Sequence, residues 1–226
     1  MKNLLLATLM FFSIQIFSQK NYYPEGVQNC ISEKNKLAAE FSEKGDQEKS
    51  RQMIKARKNC PKGLFLENYA FESIKNEIIE IKNIEKPILL KITESWCKPC
   101  MAEIPAINKI AEDYKDKIQI IVLYWDEKEK VEKTKDKYAS NIEIIPSIET
   151  SKRGKPMEIA GFKHYLGYPT SYYIESSKKI ASISRNVRVA GFLLGKGMTN
   201  EEVNKINYDN IKKNIEVVLN SEKKNE

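Results

Sequence analysis

The sequence predicts an α/β fold, on three observations. Residues 88–93 (Ile-Leu-Leu-Lys-Ile-Thr) are a short apolar run of buried-strand length. Residues 101–114 then carry Ile104, Ile107, Ile110 and Ala111 at helical spacing. Residues 118–124 (Ile-Gln-Ile-Ile-Val-Leu-Tyr) are β-branched and nearly continuous, as a central parallel strand should be, so strand, helix and strand make a right-handed βαβ unit.

The junction between the first strand and its helix holds Trp96-Cys97-Lys98-Pro99-Cys100. A Cys-x-x-Cys in that context points to redox chemistry. Cys97 falls where a helix starts, and unpaired N–H groups there favour a thiolate. Lys98 adds a positive charge, and Pro99 suits a first turn because its missing N–H would have no partner. Cys100 follows one turn on, within reach of a disulfide with Cys97. The haem-attachment reading of Cys-x-x-Cys fails because Met101, not His, follows it.

Trp-Cys-x-Pro-Cys, with Pro105 five residues after the second Cys, resembles the active-site helix of the thioredoxin superfamily. Within it, Cys-Lys-Pro-Cys-x-x-Glu-x-Pro over residues 97–105 is similar to the exported TlpA/ResA-type thiol–disulfide oxidoreductases. The resemblance covers about residues 86–219. It implies a thioredoxin-like fold, a central mixed sheet with helices on both faces. It also implies that Cys97 attacks a substrate disulfide and Cys100 resolves the mixed disulfide. No cofactor is implied beyond the redox-active Cys97–Cys100 disulfide. A non-catalytic binding module of the same fold is the alternative. A peroxide-reducing role lacks support, since neither Thr93 nor Ser95 has the Thr-x-x-Cys spacing to Cys97.

Further site residues follow from the same resemblance. Pro169, after Gly167 and Tyr168, sits where the family carries a cis-proline, which implies that the Tyr168 backbone is free to pair with an extended substrate. Trp96 is expected to pack and to cover the disulfide. Glu103 matches a glutamate that the family carries near its cysteines. Its carboxylate would raise the thiol pKa or accept the Cys100 proton; the competing reading is an exposed helix Glu. The sequence departs from cytoplasmic thioredoxins at Lys91, where they carry a buried Asp, so their proton relay does not carry over. Glu94 stands behind Glu103 as an acidic candidate. His164, the sole histidine, is read as a packing or surface residue.

The remaining elements read in order. Residues 1–18 combine a charged start with an apolar run at 4–17, a secretory signal with cleavage expected between Ser18 and Gln19. The run is shorter than the roughly 20 residues of a membrane span, so no stable membrane insertion is expected after cleavage. No Cys directly follows it, which argues against a lipid anchor. An extracytoplasmic, periplasmic location follows, where disulfides persist. The partners expected there are disulfide-bearing exported proteins and an unidentified thiol electron donor.

Residues 19–85 form a helical extension, with helices over 30–44 and 47–58 turning at Gly45-Asp46. In such a hairpin Cys30 and Cys60 are equidistant from the turn and face each other, which predicts a structural disulfide. A four-cysteine zinc site needs a second close-spaced pair that is not there; a second redox pair is the remaining option. Residues 63–84 read as a helix, or helix and strand, packing on the next domain. The thioredoxin-like domain is assigned to 86–220 and a charged, frayed tail to 221–226.

Within that domain, residues 126–138 read as an exposed helix, 141–148 as a strand ending at Pro146, and 150–156 as a polar loop. Residues 171–174 and 178–184 read as a hairpin, 191–199 as a glycine-containing loop, and Thr199-x-x-Glu202 as a capping box opening a helix toward 219. The formal net charge is +7, but the lysines are dispersed with no aromatic interleaving. A solvated surface therefore accounts for the charge, and nucleic acid is not an expected partner. No metal is assigned.

Overall fold

The computed structural model describes residues 21–147, 157–185 and 198–224. The expected signal sequence, the 150–156 loop and most of the 191–199 loop lie outside the described residues. Among the described residues no helix is long and apolar enough to cross a membrane.

The centre is a five-stranded mixed sheet. Strands β3 (Ile88–Thr93), β4 (Gln119–Tyr124) and β5 (Ile142–Ile145) are parallel. On the other side of β3 run β8 (Thr170–Ile174), antiparallel to β3, and β9 (Ile180–Ser184), antiparallel to β8, in the order β5-β4-β3-β8-β9. Because side chains alternate across a strand, β3 serves two cores at once. Ile88, Leu90 and Ile92 join Ile121, Leu123, Tyr172 and Ile174 on one face. Leu89 joins Ile120, Val122 and Tyr173 on the other. Helices α4 (Ile104–Asp113) and α6 (Asn200–Glu222) cover that second face through Ile107, Ile110, Ile211 and Ile215. Burying each such isoleucine contributes about 1.5–3 kcal/mol.

The first face is covered by the N-terminal region and a hairpin. Helix α1 (Glu25–Glu43) contributes Val27, and Tyr23 just before it stacks on Phe162 with ring centroids 5.0 Å apart. Helix α2 (Gln47–Ala56) returns antiparallel after Gly45, whose φ of +79° suits a residue without Cβ. Asp46 caps α2 by accepting from the Lys49 N–H at 3.0 Å. Cys30 and Cys60 are joined by a disulfide, with Cα atoms 5.6 Å apart, at the open end of this helical pair. Cys60 lies in the first-face core and Cys30 packs against it.

Residues 63–66 run beside β9, where Gly63 donates to Ile180 O and Ile180 to Leu64 O, each at 2.8 Å. That covers the edge of the sheet. The segment 64–84 contains no α-helix. Instead β1 (Ala70–Glu72) and β2 (Ile78–Glu80) form a hairpin, followed by a 3-10 turn at Ile81–Asn83. The physical reason is local. Ser73 Oγ accepts from the N–H groups of Lys75 and Glu77, and Asn76 takes φ +63°, so the backbone turns back on itself.

Two further expectations are corrected, and one hairpin is added. The exposed helix over 126–138 is a short α5 (Lys128–Glu132) and a 3-10 turn at Lys135–Lys137, with Val131 and Tyr138 buried. A hairpin of β6 (Met157–Ile159) and β7 (Phe162–His164) lies where no element was expected. The tail is not frayed at its start: α6 runs through Glu222, whose carboxylate accepts from Ser176 N and Oγ at 2.8 and 2.5 Å. The Thr199–Glu202 capping box opens α6 as expected.

Candidate functional site

Cys97 caps the N-terminus of α3 (Lys98–Ala102), and its Sγ accepts from the Cys100 N–H at 3.3 Å. Its backbone is extended, at φ −74° and ψ 94°. That turns the chain from β3 into the helix and places the sulfur over the first-turn N–H groups. Cys97 and Cys100 form a disulfide with Cα atoms 5.2 Å apart. Both are nearly inaccessible, Cys97 at 5% exposure and Cys100 at 1%, so Cys97 is the outer sulfur.

The expected single helix over 101–114 is two, because Pro105 has no N–H to give the carbonyl of Met101 and the chain breaks at Glu103. Asn207 of α6 reaches into the break and donates to Ala102 O at 3.4 Å. The field that favours a Cys97 thiolate therefore comes from the first-turn N–H groups, where such effects are concentrated.

The break turns Glu103 inward. Far from being an exposed helix residue, it is buried and paired with Lys91, whose ammonium comes from the α4 face of β3. The side chains are only 1% and 3% exposed. Lys91, the departure noted in the sequence, is thus the partner of the family-like glutamate. Glu103 cannot act as a lone carboxylate next to the dithiol; its charge is balanced within the fold.

Above the cysteines, Trp96 does not pack as expected. It is 69% exposed, meets the ring of Tyr168 edge-on with centroids 5.7 Å apart, and donates its indole N–H to the Glu94 carboxylate. Trp125, from the end of β4, meets the same ring at 6.5 Å. The Tyr168–Pro169 peptide bond is cis. The ring contact brings Trp96, next in the chain to Cys97, against Tyr168, next to Pro169, while Cys30 and Cys60 lie on the helical extension. All four sulfurs are engaged in two separate bridges.

Two carboxylates flank this surface. Glu94 is buried and its backbone carbonyl accepts from Cys97 N at 3.2 Å. Burial pushes its carboxyl up to about 7; the Tyr168 hydroxyl that bonds to it pulls the other way, and the charge of Asp126 adds to the rise. Asp126 accepts from Ser95 N at 2.6 Å and Ser95 Oγ at 3.0 Å, which fixes the turn leading into Cys97. Sequence reasoning missed Asp126. Its position just past the C-terminal end of a parallel strand, where α/β folds build their sites, was the available signal.

His164 is buried with both ring nitrogens engaged, at 2.8 Å from Tyr172 Oη and 2.7 Å from Gly167 O. Burial lowers its pKa to about 4, so the ring is neutral near pH 7. Among the described residues no group of three or more His, Cys, Asp and Glu is placed to hold a metal ion.

The thioredoxin family model matches residues 70–166. A thioredoxin of Rickettsia prowazekii (strain Madrid E) is 32% identical over 88 residues, covering 39% of this chain and 76% of that protein. The thioredoxin-like protein YneN of Bacillus subtilis (strain 168) is 31% identical over 98 residues, 43% of this chain and 55% of its own length. The thiol-disulfide oxidoreductase ResA of Bacillus cereus (strain ATCC 10987 / NRS 248) is 27% identical over 115 residues, 50% of this chain and 63% of ResA. The chain spans about half the length of several curated relatives that it matches. Among solved structures, a thio-disulfide isomerase from Thermus thermophilus superposes with a TM-score of 0.45 at 21% identity, over 55% of this chain and 85% of that one.

Proposed function

The chain belongs to the thioredoxin family, and on that premise we propose that it is a thiol–disulfide oxidoreductase of exported proteins, working as a reductase or isomerase rather than an oxidase. One observation carries the reading: a two-residue-spaced disulfide at a helix start, its outer sulfur Cys97 bonded to a first-turn N–H, beneath exposed Trp96 and beside Tyr168.

In the reduced enzyme the Cys97 thiolate attacks one sulfur of a substrate disulfide. The Cys97–substrate S–S bond forms, the substrate S–S bond breaks, and the other substrate sulfur leaves as a thiolate that takes up a proton. The deprotonated Cys100 sulfur then attacks Cys97. The Cys97–Cys100 bond forms and the second substrate sulfur leaves. The substrate gains two electrons and the enzyme dithiol loses them; an external dithiol restores the dithiol by the reverse exchange. Lys98 and the first-turn N–H groups favour the Cys97 thiolate. The direction rests on the reduction potential, where about 30 mV corresponds to 1.4 kcal/mol. Action on exported proteins is supported by the charged start and apolar run at residues 1–18.

Reduction of insulin and of glutathione disulfide, with dithiothreitol as electron donor, tests the proposal. Turnover above the dithiothreitol background, abolished by Cys97→Ser, is expected. No turnover with either substrate would leave a binding module in place of an enzyme.

A further inference from the structure

We propose that His164 is the positioning residue of the substrate-docking loop, fixing the carbonyl of Gly167 so that the neighbouring Tyr168 backbone is held ready to pair with a substrate strand. The inference rests on the proposed exchange activity and adds how the site distinguishes a polypeptide disulfide from a small one.

The loop between β7 and β8, residues 165–169, needs an anchor. Among the described residues, no backbone–backbone hydrogen bond ties it to the body of the fold. The Tyr168 side chain is held by Glu94 and the rings of Trp96 and Trp125, while the loop's backbone is held where two side chains converge on one atom. Gly167 O accepts from His164 Nε2 at 2.7 Å and from Thr170 Oγ1 at 2.6 Å. Gly167 itself takes φ +71°, a left-handed backbone conformation that favours glycine.

The imidazole cannot swivel. A carbonyl only accepts, so the proton of the neutral ring is on Nε2 and Nδ1 is an acceptor. Tyr172 supplies its donor at 2.8 Å from the next strand, β8. Tyr172 is fully buried, with the hydroxyl of Tyr23 3.5 Å behind it. Desolvation of the ring, helped by the charge of Arg185, keeps His164 neutral, so this tautomer persists at neutral pH. A merely space-filling residue here would not need both ring nitrogens. The series Tyr172–His164–Gly167 transmits the rigidity of the central sheet to the loop whose Tyr168 meets Trp96, as an outer shell of hydrogen bonds does for a reacting group.

The test compares two disulfides that differ in their need for the loop. Insulin presents an extended polypeptide that can pair with the Tyr168 backbone; 5,5′-dithiobis(2-nitrobenzoate) presents only its sulfurs. Rate constants for oxidation of the reduced protein by each are measured for wild type, His164→Leu, His164→Gln and His164→Asn. Leu removes the donor, Gln carries an N–H to about the Nε2 position, and Asn is one methylene too short to reach it. We expect Leu and Asn to slow the insulin reaction by about tenfold, the upper range for one hydrogen bond. The small disulfide should change less than about twofold on the same estimate. Gln should restore the insulin rate.

If Leu fails to fold, the Gln–Asn comparison still decides. Equal slowing with both disulfides, an unchanged insulin rate in Leu and Asn, or no recovery with Gln would each overturn the proposal. A wild type inert to both disulfides would instead overturn the exchange activity, and this inference with it.

Discussion

Removing the ammonium of Lys91 should show how strongly the buried ion pair holds the active-site helix. In Lys91→Met the Glu103 carboxylate would remain in a site only 1% exposed without the Lys91 ammonium beside it. Breaking such a pair from one side costs about 3–5 kcal/mol, because the remaining charge loses its counter-ion while staying out of water. With a urea slope of about 2 kcal/mol/M, the unfolding midpoint should fall by roughly 1.5–2.5 M. Glu103→Gln should cost a comparable amount by orphaning the lysine. Replacing both, as Lys91→Met with Glu103→Leu, should recover most of the loss, since an apolar pair of similar volume needs no charge balance.

The two single variants should move the thiols in opposite directions. An unbalanced Glu103 raises the apparent pKa values of the reduced dithiol; an unbalanced Lys91 lowers them. Urea unfolding of the oxidised proteins and thiolate absorbance against pH of the reduced ones provide both readings. Single variants that each lose less than about 1 kcal/mol, the range of exposed pairs, would refute the reasoning. So would a double variant whose loss is the plain sum of the two.

Three other outcomes are expected. Cys30→Ser with Cys60→Ser should lower stability by about 3–4 kcal/mol, from the 30-residue separation that the bridge closes, while insulin reduction through Cys97 continues; loss of activity in a folded variant would make the second bridge a redox partner. The folded pKa of His164, about 4, lies below the ordinary 6.5, so the unfolded chain binds the extra proton between those values. Stability should therefore fall on acidification across that window by on the order of 3 kcal/mol, and His164→Gln should flatten the dependence in urea midpoints measured from pH 4 to 7. Glu94 acts with the opposite sign: its folded pKa is raised to about 7, so the native state holds the proton longer and stability should fall as pH rises from 4.5 through 7. Glu94→Gln should remove that decline, and an unchanged slope would mean that the carboxyl is hydrated.

The parts of the fold that were legible in the sequence are those with a strong local period. Residues 88–93, the Cys-x-x-Cys turn and residues 118–124 announce themselves because a buried strand must be apolar and a redox turn needs its two sulfurs one helical turn apart. The helical pair around Gly45 was legible for the same reason. The hairpins at Ala70–Glu80 and Met157–His164 were not, because three-residue strands carry too few residues for alternation to stand out. At the site, Cys97, Cys100, Tyr168 and Pro169 follow from motif and order along the chain.

The partners of these residues depend on tertiary placement. Lys91 interrupts an apolar strand, which signals that a buried charge needs an opposite one. That the opposite charge is Glu103 follows only from the face of β3 on which Lys91 lies and from the break at Pro105. His164 likewise gains its role from Gly167 and Tyr172, residues on a loop and a strand that the sequence does not show to be in contact with it.

The central claim is that Cys97 is the sulfur that exchanges with substrate and Cys100 the one that releases it. The most direct test is to mix reduced Cys100→Ser with oxidised insulin and map the trapped adduct by mass spectrometry without reduction. The account predicts a stable mixed disulfide of one insulin chain with Cys97, formed at close to the wild-type rate, and none with Cys97→Ser. Trapping through Cys100 in Cys97→Ser, or no adduct with either variant, would contradict it.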